Sequence, residues 1–125
     1  MPDISPKKSK RNSYETGRSA EFFSAWYLRC KGYKILARNY KTRVGEIDLI
    51  AHKKRLICFV EVKKRHDFET ASQAISQKQK VRITHAAKYF LKQNPQYLDF
   101  DQRFDAVLIG ATVFPYHIKN AWQVH

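Results

Sequence analysis

The residues best placed to do chemistry are an aspartate, a glutamate and a lysine. Asp48 is followed by twelve residues, then Glu61, one further residue, and Lys63. Side chains on a strand alternate, so Glu61 and Lys63 point to one face, as do Glu46 and Asp48. If the two segments are hairpin neighbours, three carboxylates and a lysine converge at one place. Hard divalent cations such as Mg²⁺ or Mn²⁺ take carboxylate oxygens and keep several waters. Asp48 and Glu61 would hold such an ion, which polarises a phosphodiester oxygen and acidifies a bound water. Lys63 would orient that water or stabilise charge on the phosphorus oxygens. Crowded carboxylates repel one another, and without a cation some must hold protons at unusually high pH. Both acids also interrupt apolar runs, Ile47-Asp48-Leu49-Ile50 and Phe59-Val60-Glu61-Val62, where an unpaired charge is costly.

The elements that position these residues follow from periodicity. Ala20, Phe23, Trp26, Tyr27 and Cys30 recur at spacings of three and four from near Tyr14, one apolar stripe of a helix that Gly32 stops. Tyr33 to Tyr40 reads as a first strand and Thr42 to Gly45 as a turn. Glu46 to Ala51 is a second strand, with Ile47, Leu49 and Ala51 on one face and Glu46, Asp48 and Ile50 on the other. His52 to Arg55 is a polar hairpin connection. Leu56 to Val62 is almost continuously apolar, as in a central strand covered on both faces. A helical region follows from about Thr70 to Gln93, with a break near Ser76. Its packing surface includes Ala71, Ala74, Ile75, Val81, Ile83, Ala86, Ala87, Phe90 and Leu91, and Asn94-Pro95 ends it. Arg103 to Gly110 and His117 to Val124 are two more strands. The order α-β-β-β-α-β-β predicts an α/β fold, a mixed sheet with flanking helices.

The chain has 125 residues, one domain's worth, with 24 Lys+Arg against 11 Asp+Glu and a net charge of +13. Residues 1–13 read as a flexible basic tail, with Lys7, Lys8, Lys10 and Arg11 against Asp3, and residues 14–125 as the folded domain that carries most of the charge. Such a surplus points to a polyanion, here nucleic acid. No apolar run approaches the roughly 20 residues of a membrane span, and no secretory leader is visible. Cys30 and Cys58 form no CxxC pattern and no zinc spacing, which fits a reducing cytoplasm. Lys64 and Arg65 directly after the motif, Lys78 on the following helix and Arg43 on the preceding turn are the candidate phosphate contacts. Phe22, Trp26, Tyr33 and Tyr40 are expected to pack in the core, with base stacking as the alternative role.

Several stretches together carry a family likeness. Gly45-Glu46-Ile47-Asp48-Leu49-Ile50 and Phe59-Val60-Glu61-Val62-Lys63-x-Arg65 resemble the signature of the YraN-type bacterial family. So do Arg38-Asn39-Tyr40, Gly17-x-x-x-Glu21 and Arg103-Phe104-Asp105, so the likeness spans about residues 14–124. It implies a restriction-endonuclease-like fold of the PD-(D/E)xK superfamily, similar in layout to archaeal Holliday junction resolvases. It further implies Asp48 and Glu61 as metal ligands, Lys63 as the catalytic lysine and Glu21 as a helix glutamate near the metal. Glu46 stands beside them, one step further out. The family often has Phe-Gly after the basic loop, where this chain has Phe68-Glu69. Two function classes stay open: a Mg²⁺- or Mn²⁺-dependent endonuclease acting on structured or branched DNA, and a non-catalytic DNA- or RNA-binding module on a nuclease fold. A homodimer is implied by analogy with the junction-cutting enzymes.

Overall fold

The computed structural model describes residues 19–64, 75–110 and 115–123, and the structural statements below concern those residues. The tail 1–13, Arg65, Ala71, Ala74 and Val124 lie outside them. Helix α1 is described over 19–30. Five strands follow: β1 (Lys34–Lys41), β2 (Glu46–Lys53), β3 (Leu56–Lys64), β4 (Asp101–Ile109) and β5 (Tyr116–Trp122). Helix α2 (Gln77–Gln93) and a short 3₁₀ turn (Pro95–Tyr97) connect β3 to β4. The five strands form one sheet in the order β1-β2-β3-β4-β5. All neighbours are antiparallel except β3 and β4, which run parallel across the α2 connection. The expected mixed α/β architecture and element order are therefore present.

β3 is central because its sequence has no polar face. Ile57 and Phe59 pack with Ile83, Ala86, Ala87, Phe90 and Leu91 of α2. Cys58 and Val60 pack with Ala25 and Leu28 of α1. One helix thus covers each face of the sheet. α1 ends in a Schellman arrangement: Gly32 has φ +95°, its N–H donates to the Arg29 carbonyl, and the Tyr33 N–H donates to the Leu28 carbonyl. α2 starts at Ser76, whose hydroxyl accepts from the Gln79 N–H while the Gln79 side chain accepts from the Ser76 N–H. The helix thus begins at the position of the expected break, and the expected helical residues before Ile75 lie outside the described residues.

Three expectations need correction. Ala20, Ser24, Ala25 and Leu28 are the buried residues of α1, whereas Trp26 and Cys30 are exposed. Small residues let the helix approach the sheet closely, and this turns the bulkier stripe outward. In α2 the buried stripe is Ile83, Ala86, Ala87, Phe90 and Leu91, which leaves Val81 outside. In β2, Leu49 and Ala51 pack on the α1 side, but Ile47 joins Ile50 on the α2 side. Alternation shifts by one around Asp48, where the β2–β3 rungs stop after Leu49↔Val60.

Gly45, at the entry to β2, touches α2 directly. A Cβ there would lie 2.0 Å from the Arg82 carbonyl oxygen, a backbone atom that cannot swing aside. This contact holds the start of β2 against α2. Elsewhere, fully buried Asp105 ties three elements together. Arg103 donates to both its oxygens, from Nε at 2.8 Å and Nη2 at 2.9 Å, and the Asn120 N–H donates to Oδ1 at 2.9 Å. His117 Nε2 lies 2.8 Å from Oδ2, and Lys31 Nζ lies 2.7 Å from His117 Nδ1. With the ammonium donating, the ring proton sits on Nε2 and is given to Asp105. Arg103 also donates to the Tyr33 hydroxyl at 2.8 Å. Burial alone would raise the Asp105 pKa, but the hydrogen bonds from His117, Arg103 and the Asn120 N–H hold it at about 2. The Arg103-Phe104-Asp105 stretch thus anchors β4 to β5 and to the segment that leaves α1.

Two outcomes follow. Gly45→Ala forces the start of β2 off α2 and lowers stability by several kcal/mol, on the order of 3 or more, in chemical denaturation. Asp105→Ala strands the Arg103 charge and costs about 3–5 kcal/mol by the same measurement. A loss under about 1 kcal/mol in either variant contradicts the packing described.

Candidate active site

The carboxylates come together where the β2–β3 ladder ends. The last rung is Leu49↔Val60, and Asp48 and Glu61 are the residues next to it on the two strands. The Asp48 carboxylate takes over as acceptor there: the Val62 N–H donates to its Oδ2 at 2.9 Å. The two side chains also act on each other directly, and burial raises the pKa of both. α1 brings Glu21 to the same point, where it hydrogen-bonds Asp48. Lys63 Nζ lies 3.4 Å from Glu61 Oε2, the pair being mostly buried. Asp48, Glu61 and Lys63, singled out by their spacing, and Glu21, implied by the family likeness, therefore lie close together. Glu46 is exposed and acts on Glu21 and Asp48 through its charge.

One contributor was not singled out from the sequence. Gln79 Nε2 donates to Glu61 Oε2 at 3.3 Å, while its Oε1 belongs to the α2 cap. The Ser76-x-x-Gln79 spacing is a capping-box signature, and it fixes the direction in which the amide points. Arg38, opposite Leu49 on β1, adds a positive charge that acts on Glu21.

Electrostatics follows from this crowding. Burial is the largest influence on Glu21, followed by the charge of Asp48, and together they push it to about 7 against the pull of Arg38. Glu61 rises to about 8, again through burial first and Asp48 second, with Lys63 opposing. Burial also pushes Asp48 up, opposed chiefly by the Val62 N–H. The pair titrates as a unit, holding a proton well above the usual carboxylate range. Among the described residues no set of three or more His, Cys, Asp or Glu side chains is arranged to close around a metal ion. The oxygen donors that are present suit a hard cation that needs one or two carboxylates and keeps its waters.

The candidate phosphate contacts are less concentrated. Lys64 ends β3 directly after the cluster. Lys78 is exposed in the first turn of α2. Arg43 is exposed on the β1–β2 turn, where it lines a cavity of about 540 Å³ with Lys41, Thr42, Val44 and Tyr89. Arg65 lies outside the described residues.

The raised carboxyl pKa values carry a sign. A carboxyl that binds its proton more tightly when folded stabilises the fold fully below its ordinary value of 4.5, and that contribution is lost as pH rises through about 7 to 8. The melting temperature of the chelator-treated protein is therefore expected to fall between about pH 5 and pH 9. Glu61→Gln should flatten the fall. A melting temperature that rises across this range contradicts a protonated cluster.

Comparison with known proteins gives a consistent family. Residues 20–109 match the uncharacterised protein family UPF0102. A UPF0102 protein of Rhodopseudomonas palustris strain HaA2 is 44% identical over 118 residues, covering 94% of this chain and 92% of the relative. Another from Bradyrhizobium diazoefficiens is 44% identical over 111 residues, covering 89% and 84%. One from Nitrobacter winogradskyi is 43% identical over 111 residues, covering 89% and 94%. The YraN-type likeness of the sequence motifs and these matches agree, and the chain belongs to the UPF0102 family.

Proposed function

We propose that this protein is a metal-dependent endonuclease that hydrolyses phosphodiester bonds in structured or branched DNA. The restriction-endonuclease-like, PD-(D/E)xK character and the likeness to Holliday junction resolvases are part of this proposal. One observation carries it: Asp48, Glu61 and Lys63 lie together on adjacent strands, with Glu21 reaching them from α1, in a chain of net charge +13.

Asp48 and Glu61 would hold Mg²⁺ or Mn²⁺, with Glu21 beside them. When bound, such a cation polarises a phosphoryl oxygen and lowers the pKa of a coordinated water. The protein's own groups do the rest. Lys63, at the edge of the cluster, offers its ammonium to the phosphoryl oxygens and to the attacking water. Gln79 donates to the same Glu61 oxygen that Lys63 approaches and keeps that carboxyl oriented. Glu21 reaches the cluster from α1 and would face the cation or its waters. Lys64, Arg65, Lys78 and Arg43 bind the phosphate backbone, which makes affinity fall with salt. No described helix is long and apolar enough to cross a membrane.

The test is a cleavage panel of junction, flap, single-stranded and duplex DNA with Mg²⁺ or Mn²⁺. Asp48→Asn and Lys63→Ala should each reduce cutting by about 10²-fold or more. Cutting that survives both substitutions overturns the assignment. Salt-dependent binding without any cutting, and without cation binding in calorimetry, would instead identify a non-catalytic binding module.

A further inference from the structure

The outward stripe of α1 carries Phe22, Trp26 and Arg29, at spacings of four and three. Phe22 is 59% exposed and Trp26 is 49% exposed. The solvent stripe of a helix is ordinarily polar. Two large aromatics one turn apart, on a chain of net +13, therefore suggest a surface that meets something. Their surroundings narrow what that is. The Arg38 guanidinium lies over the Phe22 ring, 5.9 Å from its centroid, and the same residue's charge acts on Glu21. Trp26 is stacked on Phe23, with centroids 5.9 Å apart and planes 15° off parallel, which supports the plane of the indole. Phe22 directly follows Glu21, so the stripe begins beside the carboxylate cluster.

Exposed ring faces flanked by arginines match a partner that offers both flat rings and negative charge. An unpaired nucleic-acid strand offers both at every residue. A duplex hides its ring faces within the stack, and an apolar protein surface would leave the arginines without a counter-charge. We propose that Phe22 and Trp26 form a stacking platform for the unpaired bases of a single DNA strand, next to the bond addressed by the carboxylate cluster. The position of that bond rests on the nuclease reading; the stacking itself does not.

The two tryptophans make the proposal testable by emission. Trp122 is buried against Phe104, leaving Trp26 as the indole a strand can touch. The full chain, with chelator present and no divalent cation, is titrated with oligothymidylate while tryptophan emission is followed. The expected result is quenching by oligothymidylate and little by a duplex of equal length. Trp26→Leu should abolish the quenching and weaken oligothymidylate binding by about 5- to 100-fold, while duplex affinity holds. Phe22→Leu should retain the quenching and weaken binding in the same sense. Leucine is a better helix former than either aromatic, so α1 persists in both variants. The proposal is overturned if Trp26→Leu binds oligothymidylate as tightly as the parent. It is equally overturned if the parent sediments as a dimer that Trp26→Leu dissociates without loss of DNA affinity, since the face is then a self-association surface. Quenching and stacking without cleavage of any substrate would leave the platform standing and remove the nuclease reading. Cleavage with no effect of either substitution would do the reverse.

Discussion

The constraint on which the site depends is repulsion among carboxylates that the fold holds together. Glu21, Asp48 and Glu61 hydrogen-bond in a chain, with Glu46 adding its charge from outside. Left to themselves in water, these groups would separate. What keeps them in place is distributed over four elements: the Val62 N–H and Lys63 on β3, Gln79 on α2, Arg38 on β1 and the packing of α1. Gly45 belongs to this set indirectly, because its missing side chain lets α2 come close enough to face the start of β2.

Two aspartates, Asp105 fully buried and Asp48 partly so, make the point by contrast. Asp48 and Asp105 each accept a backbone N–H from a neighbouring strand where regular pairing is interrupted. Asp105 is surrounded by Arg103 and His117 and stays ionised down to about pH 2. At Asp48 burial pushes the pKa upward, with the charge of Glu46 adding to it. The same local backbone device thus serves as a rigid fastening in one place and as part of the carboxylate cluster in the other. The difference lies in what opposes burial: the hydrogen bonds from His117 and Arg103 outweigh it at Asp105, whereas burial prevails at Asp48.

Much of this was legible from residue order. The apolar run of β3 declared its central position, and the alternation of charged residues around Asp48 and Glu61 located the cluster. The Gly32 and Asn94-Pro95 boundaries held as well. What escaped notice depended on three-dimensional proximity or on size. Helical spacing alone gives Trp26 and Ala25 neighbouring positions, and it cannot weigh close approach to a sheet against burial of a large ring. The shift of face at Asp48 arises from a side chain substituting for a ladder acceptor, which no alternation pattern encodes. Gln79 was hidden by its double role, since a capping residue gives no sign of what its second hydrogen bond reaches.

The parallel pairing of β3 with β4 has a kinetic side. Every rung of that pair joins residues 45 positions apart, whereas the β2–β3 hairpin closes over a two-residue turn. Closing the long loop costs chain entropy before any contact repays it, so the hairpin forms readily and the parallel seam late. On a growing chain, β1 to β3 are complete before β4 exists. The acidic cluster therefore has its strand residues early, but the apolar wall beneath them only at the end. A partly folded chain would hold those carboxylates in water and ionised, and the burial that raises their pKa values becomes a report on the completion of folding.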